Sequence, residues 1–390
     1  MKITNKCGMA FLGFAIATLA GCASSPFSFN HKPSAQPNKA PAPATASKDV
    51  APVQPLAAEP VTNPAEPAVV AMTPAPSTPN VTRATFASEG ADFDPCVSRD
   101  GQWLVYASTQ HRPTSDIYIK RSDSRVVTQL TNDPSDDAMP SLSPDGTRIA
   151  FASNRGGNWD IYVMPITGGK AMQVTSDGAD ELHPSWSPDG KNLVYSKLSA
   201  MSGRWEMWVS DAANPGVSHF IGYGLFPQWC PTAGTGAEGK DTILFQLGRE
   251  RGSRSFSIWT VDYANGQASN ATEIASEPGM ALINPAWSPD GNWISFSEVP
   301  VGAANSPRNG ELPREASLWI INIDGTGKVR LTSGTGASIS PAWATNNRLY
   351  FVSDRGGSQN IWSLDLGPAL LAAGSAGGAT APMAEAGNGN

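Results

Sequence analysis

Histidine is scarce in this chain, and what there is falls in no metal pattern. His31, His111, His183 and His219 show neither i, i+4 nor CxxC-type spacing, which excludes a zinc motif. Basic charge is also short: 27 Lys and Arg stand against 34 Asp and Glu, a formal charge of −7. That balance argues against a nucleic-acid partner, whose counterions a basic face must displace, and leaves basic proteins and cations as partners. GxSxG is absent, so there is no nucleophile elbow, and the residues that follow the last repeat leave no room for an α/β-hydrolase domain. Aromatic residues are missing from 30–80, a stretch dominated by Pro and Ala, whereas all twelve Trp lie after residue 100. Residues 22–80 therefore bury too little apolar surface to offset ordering entropy and read as a disordered or polyproline-like linker.

No long hydrophobic run is present either. The apolar stretch "MAFLGFAIATLA", preceded by Lys2 and Lys6, is too short to span a bilayer and ends at small residues, which is signal-peptide chemistry. Its end, Leu19-Ala20-Gly21-Cys22, resembles the bacterial lipobox. That resemblance implies cleavage after residue 21, lipidation of Cys22, and membrane anchoring of the mature protein. Ala23 at the next position is similar to the default outer-membrane sorting signal of Gram-negative lipoproteins. Loss of residues 1–21 removes two Lys and no acid, taking the charge from −7 to −9. Fully polyproline-like, the linker would reach up to about 180 Å at about 3.1 Å per residue. Cys96 and Cys230 sit in different repeats and are expected to be free, buried thiols.

What is abundant is one octet. "HPSWSPDG" at 183–190 returns as "MPSLSPDG" at 139–146 and "NPAWSPDG" at 284–291, with a weaker copy "DPCVSRDG" at 94–101. "FPQWCPTAG" from Phe226 and "SPAWATNN" from Ser340 keep only the Pro-X-Trp core. The six prolines, at 95, 140, 184, 227, 285 and 341, are spaced by 45, 44, 43, 58 and 56 residues. Spacings in the forties with strand-like content are the mark of a propeller whose repeat is one four-stranded blade. Ser-Pro-Asp-Gly suits the four positions of a type I turn, so the octet marks the hairpin that opens each blade.

An apolar run follows each turn, as in "RIAFAS" at 148–153 and "RLYFVS" at 348–353, and suits a central strand. The next strand carries an aliphatic-aromatic pair in every repeat, from Ile117-Tyr118 to Ile361-Trp362, which fixes six blades. Fourth strands end in "QLT", "QVT" and "RLT", each Thr nine residues before the next Pro. The sixth repeat has no such strand, and 368–390 reads as a low-complexity tail. "VTRATFA" at 81–87 is expected to supply the missing strand, making an all-β, six-bladed propeller of four-stranded antiparallel blades over 81–367, closed by its N-terminal strand.

The repeat octets, "SNRGGNWDIY" at 153–162, its echo "SDRGGSQNIW" at 353–362 and the LT strand ends resemble the propeller domain of the TolB family. That family is the periplasmic component of the Tol-Pal envelope system, and its propeller receives protein segments at one opening. The chain departs from the family in carrying a Pro/Ala linker where TolB has a small α/β domain, and a lipobox where TolB is soluble.

The loops leading into the first three blades carry Asp92 and Asp94, Asp136 and Asp137, and Asp180 and Glu181, whereas the other three carry no acid. One half-acidic channel mouth is the expectation, able to steer a basic segment or hold a hard cation such as calcium; solvated charges that keep the domain soluble are the alternative. The long connection in the fifth repeat offers Arg308, Glu311, Arg314 and Glu315 as a partner-contacting lobe, or as mere linker. Together these residues predict a monomeric, non-enzymatic, lipid-tethered binding module of the outer membrane, facing the periplasm and docking a Pal-like or other Tol component. A small-molecule or glycan sensor using the channel, or a propeller hydrolase, is the rival.

Overall fold

The computed structural model describes residues 80–248, 255–302, 305, 311–333, 336–345 and 347–377. The signal peptide, Cys22, nearly all of the linker and Arg308 lie outside these described residues.

Six separate four-stranded antiparallel sheets form, one per repeat. Their inner strands are Asp92–Val97, Asp137–Leu142, Glu181–Trp186, Leu225–Trp229, Met280–Trp287 and Ile339–Ala344. Each touches the inner strand of the blade before and the blade after, and the sixth touches the first, so the blades form a ring. The turn chemistry is as its residues dictate: Gly146 N–H bonds the Ser143 carbonyl at 2.9 Å while the Ser143 hydroxyl accepts the Arg148 N–H, and the turns at Ser187 and Ser288 repeat both bonds. Gly takes the left-handed position that closes each of these turns, at φ 68–77°.

The second strands are sandwiched between blades, and Leu104, Ile149, Leu193, Ile243, Ile294 and Leu349 at equivalent places are all fully buried. The aliphatic member of each third-strand pair is likewise interior, from Ile117 to Ile361. Two of the Pro-X-Trp indoles fasten blade to blade: Trp186 Nε1 donates to the Ser141 carbonyl and Trp287 Nε1 to the Gln228 carbonyl, each in the preceding inner strand. The Thr of each LT ending lies just past its strand and caps a backbone donor of the third strand, Thr131 to Ile117, Thr175 to Ile161 and Thr332 to Leu318, at 2.8–2.9 Å. Thr85 caps Ile361 in the same way at 3.0 Å. It follows the strand Val81–Arg83, which pairs with Asn360–Asp365 and stands as fourth strand of the sixth sheet.

The segment read as a low-complexity tail begins as a helix, Gly367–Gly377. Its Ala/Leu content favours helix, its Pro sits in the first turn where no N–H is missed, and the Asp365 carboxylate accepts the Gly367 N–H. Ala369 packs with Leu318, Leu331 and Leu364, which gives the segment a reason to order that strand pairing alone does not supply. No helix among the described residues is long and apolar enough to cross a membrane.

Candidate functional site

Every inner strand breaks its ladder at the same place. The register shifts between Phe93 and Cys96, Ala138 and Ser141, Leu182 and Ser185, Leu225 and Gln228, Ile283 and Ala286, and Ile339 and Ala342. Each gap holds the motif Pro, which cannot donate to the ladder, so a bulge forms there. The residue before that Pro is left-handed in all six blades: Asp94, Met139, His183, Phe226, Asn284 and Ser340 have φ of 49–57°. For side chains other than Gly this conformation costs on the order of 1 kcal/mol or more each. All six line one cavity of about 250 Å³ whose walls come from all six inner strands.

Five of the six motif prolines, all but Pro227, with Trp186, Trp229, Trp287 and Trp343 make the walls largely apolar, and the turns that end the inner strands, with Ser98, Arg99, Ser143 and Pro289, form the rim. Arg99 stands where four other repeats have Pro and donates across the rim, from the first blade to the Pro231 carbonyl of the fourth. Three polar groups of the lining are met poorly or not at all by the protein. Asp94 accepts only the Met139 N–H, at 3.2 Å, and burial pushes its pKa up to about 6. Neither ring nitrogen of His183 has a hydrogen bond; burial takes its pKa down to about 3, so the imidazole is neutral, and its ring lies 3.6 Å from that of Phe226. Asn284 donates its N–H to Gln246 Oε1 at 2.8 Å while its own Oδ1 is unpartnered.

The six acids singled out from the sequence do not gather at one mouth. Only Asp94 lines the cavity. Asp92, Asp137 and Glu181 each open an inner strand and are at most 1% exposed. Asp137 is clamped through both oxygens by Arg155 at 2.8 and 2.9 Å. Asp92 sits by Ser108 and Thr85 with its pKa raised by burial. Glu181 lies 3.7 Å from Lys197 with no hydrogen bond to either oxygen, and burial pushes its pKa up to about 8, with the Asp160 carboxylate adding to the effect. Asp136 and Asp180 latch onto the preceding blade, Asp136 accepting from Ser115 N–H and Asp180 from Trp159 N–H. Among the described residues no group of three or more His, Cys, Asp or Glu could hold a metal ion. Asp94, Asp136 and Asp180 serve as joints between blades, while Asp137 is held inside its own blade.

The long fifth-blade connection is anchored rather than free-standing where it is described. Asn305 bonds the Pro300 and Glu315 carbonyls and the Glu315 N–H, Leu312 is buried in the core, and Glu311, Arg314 and Glu315 point outward. Both cysteines are free; Cys230 is buried and Cys96 is half-buried at the cavity wall, accepting the Leu142 N–H. The cavity residues Met139, His183, Phe226, Asn284 and Ser340 escaped the sequence reading although each immediately precedes a motif Pro.

Blade number, repeat chemistry and axial cavity define a TolB-like β-propeller. The family model described as "TolB beta propeller domain" matches residues 78–220. A Tol-Pal system protein TolB of Francisella tularensis is 28% identical over 264 residues, covering 65% of this chain and 54% of that protein, so the chain spans about half the length of this relative. The crystal structure of TolB from Acinetobacter baumannii aligns with TM-score 0.50 and 20% identity over 65% of this chain and 57% of that one. An oligogalacturonate lyase from Vibrio parahaemolyticus reaches the same TM-score, 0.50, at 14% identity over 73% of this chain and 93% of that chain. The last two likenesses are of fold alone.

Proposed function

We propose that this protein is a lipid-tethered propeller of the outer membrane that docks a segment of an envelope protein in its axial cavity, in a role related to Tol-Pal. The observation that carries this reading is the cavity itself: apolar walls around buried polar groups that the protein leaves without partners. Such groups cost about 1–3 kcal/mol each when unmet, and a bound segment that meets them recovers that cost. Cys22 supplies the anchor, the linker the reach, and a Pal-like or other Tol component the segment. Catalysis lies outside this reading, because the neutral His183 has no group to orient it and its neighbour is the Phe226 ring. A small-molecule sensor is the second reading, favoured by a volume near the lower end of ligand pockets.

A photo-crosslinking amino acid at Ser340 in intact cells tests the docking. A Pal-like or Tol component should be captured, with capture lost when Met139→Trp fills the cavity and folding is unchanged. Capture that survives the filled cavity would place the contact elsewhere. For the anchor, Cys22→Ala should move the protein from the membrane fraction to the soluble extract; unchanged fractionation would remove the tether.

A further inference from the structure

The unpartnered groups of the cavity share a chemical bias. Asp94 offers a carboxylate with no ion pair among the described residues, Asn284 an amide oxygen, and His183 a ring nitrogen. Asn284 and His183 both line the cavity and are each 7% exposed, and these atoms of theirs are buried beneath its surface with no protein partner. Among the described residues, the one cation on the lining is Arg99, at the rim and already bonded to the Pro231 carbonyl. A buried carboxylate without a counter-charge is costly, and the ligand that relieves it must bring positive charge.

We propose that the cavity receives a primary ammonium group, the tip of a lysine side chain on the docked segment, with Asp94, His183 and Asn284 as its acceptors. This rests on the docking reading and names the chemistry of the docked group. An ammonium carries three donors, which matches three acceptor residues, whereas a hard metal ion needs six or more oxygens that the ring lacks. The apolar Pro and Trp walls suit the methylene stem of lysine, and the Phe226 ring faces the same space. A free alkylamine presents the same chemistry without a chain attached.

Asp94 must be ionised to hold the cation, so affinity falls as pH drops below about 6. Two other groups on the lining do not follow that course: His183 stays neutral to about pH 3, and burial holds the Cys96 thiol protonated up to about 11; the remaining charged side chain, Arg99, lies at the rim on the Pro231 carbonyl.

The test titrates the full chain with n-butylammonium, with acetyl-Gly-Ser-Lys-Ser-Gly-amide, and with the same peptide bearing Nε-acetyl-lysine. The four wall indoles give the fluorescence readout, and melting temperature gives a second. Saturable binding of butylammonium and of the lysine peptide is expected, about tenfold weaker at pH 5 than at pH 7.5. It should be at least tenfold weaker in Asp94→Asn, which keeps an acceptor for the Met139 N–H and should melt no lower than wild type. If that variant misfolds, Asn284→Gly, suited to φ 51°, removes an acceptor at no backbone strain. Equal binding of both peptides would overturn the ammonium and leave segment docking standing. Binding of butylammonium alone would keep the ammonium and sink segment docking, with a free amine as the source. No binding of any probe, or binding insensitive to Asp94→Asn, would overturn the proposal.

Discussion

Deleting residues 81–87 within the full chain should abolish the monomeric fold. These residues put Val81, Thr82 and Arg83 opposite Leu364, Ser363 and Trp362, and beyond them Ala84 and Thr85 both donate to the Ile361 carbonyl. Thr85 Oγ1 accepts the Ile361 N–H, and Ala87 bonds both ends of the Asn360 carboxamide, at 2.8 and 3.2 Å. Lys120 of the first blade donates to the Ala84 carbonyl, so the segment also ties the last blade to the first. Several bonds at about 1 kcal/mol each, and fully buried donors left unmet at about 1–3 kcal/mol each, together approach the roughly 5–15 kcal/mol of a whole domain. The strand Asn360–Asp365 would become a bare edge that pairs with another chain. Size-exclusion chromatography and thermal melts should show aggregation or dimers with no cooperative transition near that of wild type. A monomer melting within a few degrees of wild type would show that the ring holds without its strap.

Replacing Glu181 by Gln should stabilise the protein increasingly as pH rises. Glu181 is fully buried and its pKa stands at about 8, against 4.5 for an ordinary glutamate. Between those values the folded state binds a proton that the unfolded state has lost, so stability falls with rising pH by up to roughly 1.4 kcal/mol per unit. The contribution is fully present below pH 4.5 and is lost as pH climbs through 8. The carboxamide of the variant carries no charge at any pH. The two proteins should melt alike at pH 4.5, and the variant should melt several degrees higher at pH 8.5. Melts recorded across that range check the claim; parallel curves would mean that Lys197, 3.7 Å away, already neutralises the carboxylate. The matching position in the second blade, Asp137, makes the contrast: with Arg155 on both its oxygens it has a partner that Glu181 lacks.

Much of this architecture was written in local chemistry. Turns close where Ser, Pro, Asp and Gly follow one another, because their backbone and side-chain preferences act over four residues. The recurring aliphatic-aromatic pair counted the blades, because each blade must bury the same strand against its neighbour. The Thr nine residues before three of the six motif prolines marked the end of a fourth strand, where the structure caps a third-strand donor, and Thr85 carries that cap into the last blade. The helix Gly367–Gly377 leaves no comparable mark, because its Ala- and Gly-rich run has no turn or strand pattern and Ala369 finds its packing partners only in the folded ring.

The site was another matter. From the sequence alone, the period and therefore the blades, the turns and the kind of repeat were determined, because these rest on contacts between residues close in the chain or on regular spacing. Tertiary structure alone decided which side chains face the axis. A bulge at each motif Pro turns the preceding residue left-handed, and six residues with no chemistry in common, Asp94, Met139, His183, Phe226, Asn284 and Ser340, come to line one cavity. It decided equally that Asp137 and Glu181 would be buried: Arg155 reaches Asp137 across the hairpin of its own blade, whereas Asp160 comes near Glu181 from the preceding blade only when the ring is assembled. Charge in a loop is visible in a sequence; whether that charge meets water, an arginine or another carboxylate depends on neighbours that folding brings from elsewhere in the chain.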